Sequence, residues 1–253
     1  MGTYTDKTAV ISGGTHGIGL ATAKAVIEGG GRVIVTGRNK DTVDKAAAEL
    51  GPQAIVVRSD TTVRTDIDAL VELVQGEFGR TDLVFVNAGV AELGPVGEVD
   101  EAAFDRIFDV NTKGAFFTAQ GLAPLVVDGG AIVFTTVTDG TAAPGMTVYL
   151  ASKAAVRSFA KGFAVELVGR GVRVSTVAPG YTDTPTMGVA GLTAAERADF
   201  MAAGDAIIPM RRHATAEEVA KAVLFLGFDA TYSTGVELAV DGGLAQINSP
   251  TDI

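Results

Sequence analysis

Tyr149 and Lys153 stand four residues apart in the stretch YLASK. On a helix this spacing puts both side chains on one face, one turn apart. A phenol beside an ammonium group is suited to proton donation and acceptance, because a nearby cation favours the phenolate. The same spacing also occurs on helices that use the face only for packing. The pair therefore indicates acid–base chemistry only if other parts of the chain point to the same site.

A glycine-rich turn, S-G-G-T-H-G-I-G at residues 12–19, follows the first apolar run of the chain. Gly13 permits a tight turn, Gly17 lets a phosphate approach the backbone, and Gly19 lets the next helix lie close to the strand. The N-terminus of that helix offers free N–H groups and a partial positive charge to a pyrophosphate. A glycine-rich turn without a ligand is the alternative, but the position in a βαβ unit favours dinucleotide binding.

The end of the second predicted strand indicates which dinucleotide is bound. A carboxylate about 20 residues beyond the glycines would bond the ribose 2′-hydroxyl of NAD. This chain has Gly37 there, followed by Arg38, whose guanidinium can bind a 2′-phosphate in a forked geometry. The sequence therefore predicts NADP(H) as the preferred cofactor and NAD(H) as the alternative. Arg38 could instead be a solvated surface residue, and His16 in the glycine turn could add a weaker contact.

The composition excludes several other classes of protein. The 253 residues contain no cysteine and only two histidines, so we expect no disulfide, no thiolate site and no metal site. A net charge of −10 argues against a nucleic-acid surface. The N-terminal stretch lacks the features of a signal peptide, and no apolar run reaches membrane-spanning length. A cytoplasmic location, with no membrane partner, is therefore the default expectation.

Short apolar runs alternate with amphipathic stretches along the whole chain, which predicts an α/β fold. Runs rich in Val and Ile suit a parallel sheet that is covered on both faces. We expect a single domain, residues 1–253, built on a doubly wound Rossmann-type sheet of about seven strands with helices on both faces. The predicted strands contain TAVIS, RVIVTG, AIVVRS, LVFVNAG, AIVFTT, RVSTVAPG and GVELAV.

A long insertion, residues 181–213, interrupts this alternation after the sixth predicted strand. Thr193 with Glu196, and Thr215 with Glu218, have the spacing of capping boxes, which predicts helices that begin at 194 and 216. A long excursion at the carboxyl end of a strand is the usual place of a substrate lid. An ordinary helical excursion that packs on the sheet is the alternative. Its apolar residues suit a pocket wall or packing onto the body: Met187, Leu192, Phe200, Met201, Ile207, Ile208 and Met210.

Together these motifs resemble a short-chain dehydrogenase/reductase of the standard-length type, over nearly the whole chain. The family pattern T-G-x-x-x-G-x-G is met from residue 12 to 19, with Ser12 in place of threonine. The resemblance implies binding of the cofactor by the following residues: Ser12, Gly13, Thr15, His16, Gly17, Ile18, Gly19, Arg38, Asp60, Thr61, Asn87, Ala88, Gly89, Tyr149, Lys153, Pro179, Gly180, Thr182 and Thr184.

The resemblance also implies a catalytic set of Asn111, Thr136, Tyr149 and Lys153. Tyr149 would exchange the proton, and Lys153 would lower the pKa of the phenol and hold the nicotinamide ribose. Asn111 would hold a water that relays protons. The family usually has a serine about thirteen residues before the tyrosine; this chain has Thr136 there, with Thr135 and Thr138 as the other nearby hydroxyls.

The implied function is hydride transfer between a nicotinamide cofactor, NADPH preferred, and a carbonyl or secondary alcohol. A lyase or epimerase on the same fold and a non-catalytic cofactor-sensing protein are the alternatives. The substrate itself is not evident, since sugar, steroid, acyl thioester and simple ketone all remain open. The resemblance further implies a homotetramer that pairs helices around 102–120 and 152–169.

Overall fold

Seven parallel strands form the central sheet, in the order β3-β2-β1-β4-β5-β6-β9. The structure is a computed structural model that describes residues 2–138, 144–185 and 193–247. The strands of this sheet are β1 Thr8–Ser12, β2 Arg32–Gly37, β3 Ala54–Arg58, β4 Thr81–Val86, β5 Val126–Thr135, β6 Arg173–Pro179 and β9 Glu237–Val240. Two short strands, β7 Thr182–Asp183 and β8 Ala214–Thr215, pair separately. The predicted Rossmann-type sheet is confirmed.

Helices cover both faces of this sheet, as the continuous apolar character of the strands predicts. They are α1 Gly17–Glu28, α2 Lys40–Leu50, α3 Arg64–Glu77, α4 Glu101–Phe108, α5 Ala115–Leu122, α6 Thr147–Leu167, α7 Ala194–Ile207 and α8 Ala216–Leu224. A π-helical turn, Asp109–Gly114, joins α4 to α5. None of the helices in the described ranges is both long and apolar enough to cross a membrane.

Alternate strand residues fill two separate cores, one on each face of the sheet. On one face Val10, Val84 and Ile132 are fully or almost fully buried, and α3, α5 and α6 pack over them. On the other face Ile11 and Phe85 are fully buried beneath α1 and α8. Helices of the described ranges therefore cover both faces, which leaves the strand ends as the place to look for a ligand site.

The strand order reverses between β1 and β4, because the chain leaves β3 at one edge and returns beside β1. The crossover helices on either side of this point lie on opposite faces, which leaves a crevice at the carboxyl ends of the strands. β1 ends at Ser12 and β4 at Val86, directly before the glycine turn and Asn87. The fold therefore brings the two predicted cofactor motifs to one place.

In the predicted lid, residues 181–213, a helix begins where the capping box predicts. Thr193 accepts a bond from the backbone of Glu196, whose carboxylate accepts one in return, and α7 starts at the next residue. The second box has the same geometry, and α8 starts at Ala216. Of the apolar lid residues, Met187 and Leu192 lie outside the described residues. Ile208 is fully buried, whereas Ile207 and Met210 are exposed.

Candidate active site

A cleft at the switch point gathers residues from the glycine turn, the end of β4, β5, α6 and the lid. Thr135 at the end of β5 forms part of its wall. The sequence instead predicts Thr136 as the hydroxyl that faces the substrate. Ten of the predicted residues lie in its lining: Gly13, His16, Gly17, Ile18, Asn87, Ala88, Gly89, Tyr149, Lys153 and Thr184. Val90 and Ala91, which the sequence argument missed, extend the wall. Their only sequence signal is that they directly follow Asn87-Ala88-Gly89.

The glycine turn has a backbone that other residues could not adopt without strain. Gly13 and Gly17 have φ values of 63° and 55°, in the left-handed region that favours glycine. A Cβ at Gly13 would lie 2.7 Å from the Cα of Ala88, and one at Gly19 would lie 2.5 Å from the carbonyl oxygen of Gly13. The turn therefore brings α1 and the end of β4 into direct backbone contact.

The N-terminus of α1 fits a phosphate group. Its N-cap residue, His16, makes no capping hydrogen bond, and its first turn contains no acidic residue. By contrast, α2 and α7 are capped by side chains and have acids in their first turns. The uncapped N–H groups and the helix dipole therefore face the cleft in a chain that is otherwise strongly acidic.

Asn87 joins three parts of the cleft through its own hydrogen bonds. Its side-chain amide donates to the carbonyl of Gly13 at 2.9 Å, and its backbone N–H donates to Ser12 Oγ at 3.0 Å. Its Oδ1 accepts the hydroxyl of Thr135 at 3.0 Å. Ser12 also accepts the N–H of Ala88, so it lies behind the cleft as a support for the turn.

Tyr149 and Lys153 lie one turn apart at the start of α6 and both face the cleft. The amine of Lys153 is buried and donates to the carbonyl of Thr135 at 3.2 Å. Burial lowers the pKa of Lys153 to about 8 and raises the pKa of Tyr149 to about 12. Loss of water around the phenol therefore dominates in the chain by itself, and the lowering expected from Lys153 together with the oxidised nicotinamide stays a prediction.

Asn111 lies behind the cleft in the π-helical turn, and its side chain is fully engaged. Its Oδ1 accepts the backbone N–H of Val90 at 2.8 Å, and its Nδ2 donates to the carbonyl of Val90 at 2.8 Å and to Ser152 Oγ at 3.0 Å. A Cβ at Gly89 would lie 3.2 Å from Asn111 Oδ1 and 3.1 Å from Lys153 Nζ. Asn111 therefore fixes the loop that passes directly over Lys153.

Thr136 is not where the sequence argument expects it. Its hydroxyl is buried and donates to the carboxylate of Glu237 on β9 at 2.8 Å, with the carbonyl of Val177 at 3.2 Å. Arg157 completes this cluster by an ion pair with Glu237 at 2.7 Å. The expectation that Thr136 faces the substrate is corrected: strand alternation turns its neighbour, Thr135, into the cleft instead.

The other predicted residues lie around the cleft rather than in its lining. Thr15 is buried against Gly37, and Arg38 is exposed at the end of β2. Asp60 accepts the N–H and hydroxyl of Thr62. The backbone of Thr61 contacts Gly114, where a Cβ would lie 2.9 Å from the Thr61 carbonyl oxygen.

The residues from the end of β6 to the start of the lid lie beside the cleft. Pro179 ends β6, and the N–H of Gly180 donates to the carbonyl of Val240 at 3.0 Å. The hydroxyl of Thr182 donates to the carbonyl of Gly180 at 3.2 Å. Thr184 lies over the glycine turn, since a Cβ at Gly17 would be 3.2 Å from its methyl group. No group of three or more acidic or histidine side chains in the described ranges could bind a metal ion.

Known proteins are similar to this chain over nearly its whole length. A family profile described as Enoyl-(Acyl carrier protein) reductase matches residues 13–245. The oxidoreductase asL5 of Sarocladium schorii is 40% identical, over 96% of this chain and 97% of the relative. A short-chain dehydrogenase/reductase from Serratia marcescens has a TM-score of 0.87 at 29% identity, over 96% and 99% of the chains. A blue fluorescent protein from a metagenomic library, in complex with NADPH, has a TM-score of 0.85 at 28% identity, over 96% and 99%.

A doubly wound sheet with a glycine turn, a tyrosine and a lysine at its switch point defines an NAD(P)-dependent oxidoreductase. The chain belongs to the short-chain dehydrogenase/reductase family.

Proposed function

We propose that this protein interconverts a carbonyl compound and a secondary alcohol, with NADPH as its preferred reductant. The observation that carries the proposal is the shared cleft: Tyr149 and Lys153 line the same space as the uncapped N-terminus of α1. An acid–base pair beside a phosphate-binding turn is the arrangement that dinucleotide-dependent proton and hydride transfer requires. A lyase or epimerase would use the same pair without net turnover of the cofactor.

Tyr149 would act as the proton donor when the carbonyl is reduced. A pKa of about 12 keeps its phenol protonated at neutral pH, so it can donate to the substrate oxygen as that oxygen gains negative charge. Bound NADPH supplies the hydride that the carbonyl carbon accepts. The phenol becomes a phenolate, which the ammonium of Lys153 stabilises from one helical turn away. Oxidation of the alcohol uses the same steps in reverse.

The NADPH preference is supported by the end of β2. A Cβ at Gly37 would lie 2.5 Å from the methyl group of Thr15, so an acidic side chain cannot stand there without displacing a buried residue. No carboxylate at that position repels a 2′-phosphate, and the exposed guanidinium of Arg38 follows directly. A charged, forked contact of this kind favours NADPH over NADH by about tenfold or more.

A turnover screen tests the proposed reaction. Purified protein is supplied with NADPH or NADH and a panel of ketones, and the absorbance of the reduced nicotinamide is followed. We expect steady loss of absorbance with at least one ketone, faster with NADPH, and a loss of at least a hundredfold in kcat for Tyr149→Phe. Product formation without any change in cofactor absorbance would instead support the lyase or epimerase.

The same proposal includes a homotetramer, a cytoplasmic location, a single domain over residues 1–253 and a lid that closes over the substrate. The resemblance supports the tetramer, and an exposed face of α6 adds to that support. The bond from Arg197 in α7 to the carbonyl of Thr184 supports this closing role, because Thr184 lines the cleft.

A further inference from the structure

Two neighbouring arginines, Arg38 and Arg58, have no carboxylate partner among the described residues, although the chain has 30 acidic residues and 20 basic ones. Two others, Arg173 and Arg211, donate to backbone carbonyls. The remaining arginines all form ion pairs with carboxylates: Arg32, Arg64, Arg80, Arg106, Arg157, Arg170, Arg197 and Arg212.

Arg38 and Arg58 lie together at the carboxyl ends of the two outer strands on one side of the sheet. Arg58 is the register partner of Gly37 in the parallel pairing of β2 and β3. Its Nε donates to the carbonyl oxygen of Arg38 at 3.1 Å, which leaves both terminal nitrogens of its exposed guanidinium without a partner in the described structure. No motif in the sequence indicates a role for Arg58.

The two carboxylates in the turn after β3 do not pair with these arginines. Asp60 directs its carboxylate to Thr62, and Asp66 accepts the backbone N–H of Asp60 at 2.8 Å. Both carboxylates are therefore engaged in the turn after β3. Two adjacent cations without a protein counter-ion form a site for an external dianion, since each guanidinium offers several fixed donors.

We propose that Arg58 is a second specificity-determining residue for the cofactor, which binds the 2′-phosphate of NADPH together with Arg38. This inference rests on the proposed NADPH preference and names a further residue that produces it. The bond from Arg58 Nε to the Arg38 carbonyl sets the Arg58 guanidinium beside the end of β2, next to the backbone of Arg38. Arg58 acts through the phosphate alone and contributes nothing to the nicotinamide end of the cleft.

Binding titrations with NADPH and NADH test the proposal, with adenosine 2′-monophosphate and adenosine 5′-monophosphate as competitors. The variants are Arg58→Ala, Arg58→Lys and Arg38→Ala. Arg32→Ala is the matched control, because Arg32 is exposed on the same strand β2 but at its opposite end. It removes the same charge without touching the site.

We expect Arg58→Ala to raise the Kd of NADPH by about tenfold and to leave the Kd of NADH within a factor of two. Adenosine 2′-monophosphate should lose competition in parallel, and adenosine 5′-monophosphate should not. Arg58→Lys should fall between wild type and Arg58→Ala, because it keeps the charge and loses the fork.

Three results would overturn the inference. If Arg58→Ala matches Arg32→Ala while Arg38→Ala still removes the preference, Arg58 has no role and the proposed function stands. If Arg58→Ala weakens NADPH and NADH equally, Arg58 supports the shared adenosine site rather than the phosphate. If the wild type binds both cofactors equally, the NADPH preference itself fails.

Discussion

Thr135 and Thr136 are adjacent residues with opposite surroundings, and this determines what each can do. The hydroxyl of Thr136 donates to Glu237, and neither residue lines the cleft, so Thr136→Val should act on stability rather than on chemistry. Loss of a hydrogen bond from a buried hydroxyl to a partly buried carboxylate typically costs about 1–3 kcal/mol. We expect a lower free energy of unfolding in urea and a kcat within about threefold of wild type.

Thr135→Val is the paired variant, and its expected effect is on the cofactor. Without the hydroxyl, Asn87 Oδ1 loses its donor, and the bond that positions the Gly13 carbonyl is no longer held in place. The Kd of NADPH and NADH should rise together by about three- to tenfold, and Thr135→Ser should restore both. A hundredfold loss of kcat in Thr136→Val with normal cofactor binding would contradict this division of roles.

Lys153 gives the reaction a pH dependence with a defined sign. Its folded-state pKa of about 8 lies below its ordinary value near 10.5, so above about pH 8 the folded protein loses the ammonium that stabilises the phenolate. We expect kcat/KM for ketone reduction to be constant below about pH 8 and to fall above it. The profile of the free enzyme is measured with an uncharged ketone, so that no substrate group titrates.

The free energy of unfolding should change in the opposite direction over the same range. Between about pH 8 and 10 the unfolded chain binds more protons at Lys153 than the folded chain does, so the contribution of this residue to stability increases with pH. Lys153→Met should remove this slope, and its low activity should no longer depend on pH near 8. Equal slopes in wild type and variant would show that Lys153 keeps an ordinary pKa.

At the scale of elements, Arg197 connects α7 of the lid to the cofactor cleft. Arg197 donates to the carboxylate of Asp183 at 2.5 Å, to the carbonyl of Thr184 at 3.0 Å and to that of Pro185 at 3.2 Å. Since Thr184 lies over Gly17, this clamp sets how the lid meets the glycine turn. A movement of α7 would therefore be transmitted through Thr184 to the glycine turn.

Arg197→Ala should weaken this connection without unfolding the helix, because the capping box of α7 remains. We expect the KM of both cofactors to rise by about three- to tenfold, with a Tm within about 2 °C of wild type. Arg212→Ala is the control: it breaks an exposed ion pair with Glu218 at the other end of the lid. If both variants behave alike, the effect comes from lid stability in general and not from Thr184.

Local signals explain which elements could be predicted from the sequence. The glycine turn and the two capping boxes depend on backbone geometry within a few residues, so their positions follow from spacing alone. The prediction for Thr136 depends on its distance in sequence from Tyr149 across a connecting loop, and such a distance does not determine the face of a strand. Arg58 had no motif at all, because its contact with Arg38 exists only through the pairing of β2 and β3.

At the scale of the whole molecule, α6 has more apolar surface than its own chain covers. Small or apolar residues follow one another at helical spacing on its exposed side: Ala151, Ala154, Ser158, Gly162 and Val165. Gly162 is the informative member, because no other part of the described chain comes within 4 Å of a Cβ built there. A glycine inside a helix costs about 1 kcal/mol relative to alanine. No close approach among the described residues explains a glycine at this position. A second α6 packed against this face would explain it.

A substitution at Gly162 separates the proposed tetramer from a monomer. In a monomer, Gly162→Arg should raise the Tm slightly, because arginine is the better helix former and meets nothing. In a tetramer it places a large cation between two packed helices, so light scattering should change from about four times 25.8 kDa to dimers or monomers. Gly76→Arg in α3 is the matched control, since that glycine is equally open but lies on a different helix. It should leave the mass unchanged, and a mass of 25.8 kDa for the wild type would refute the tetramer.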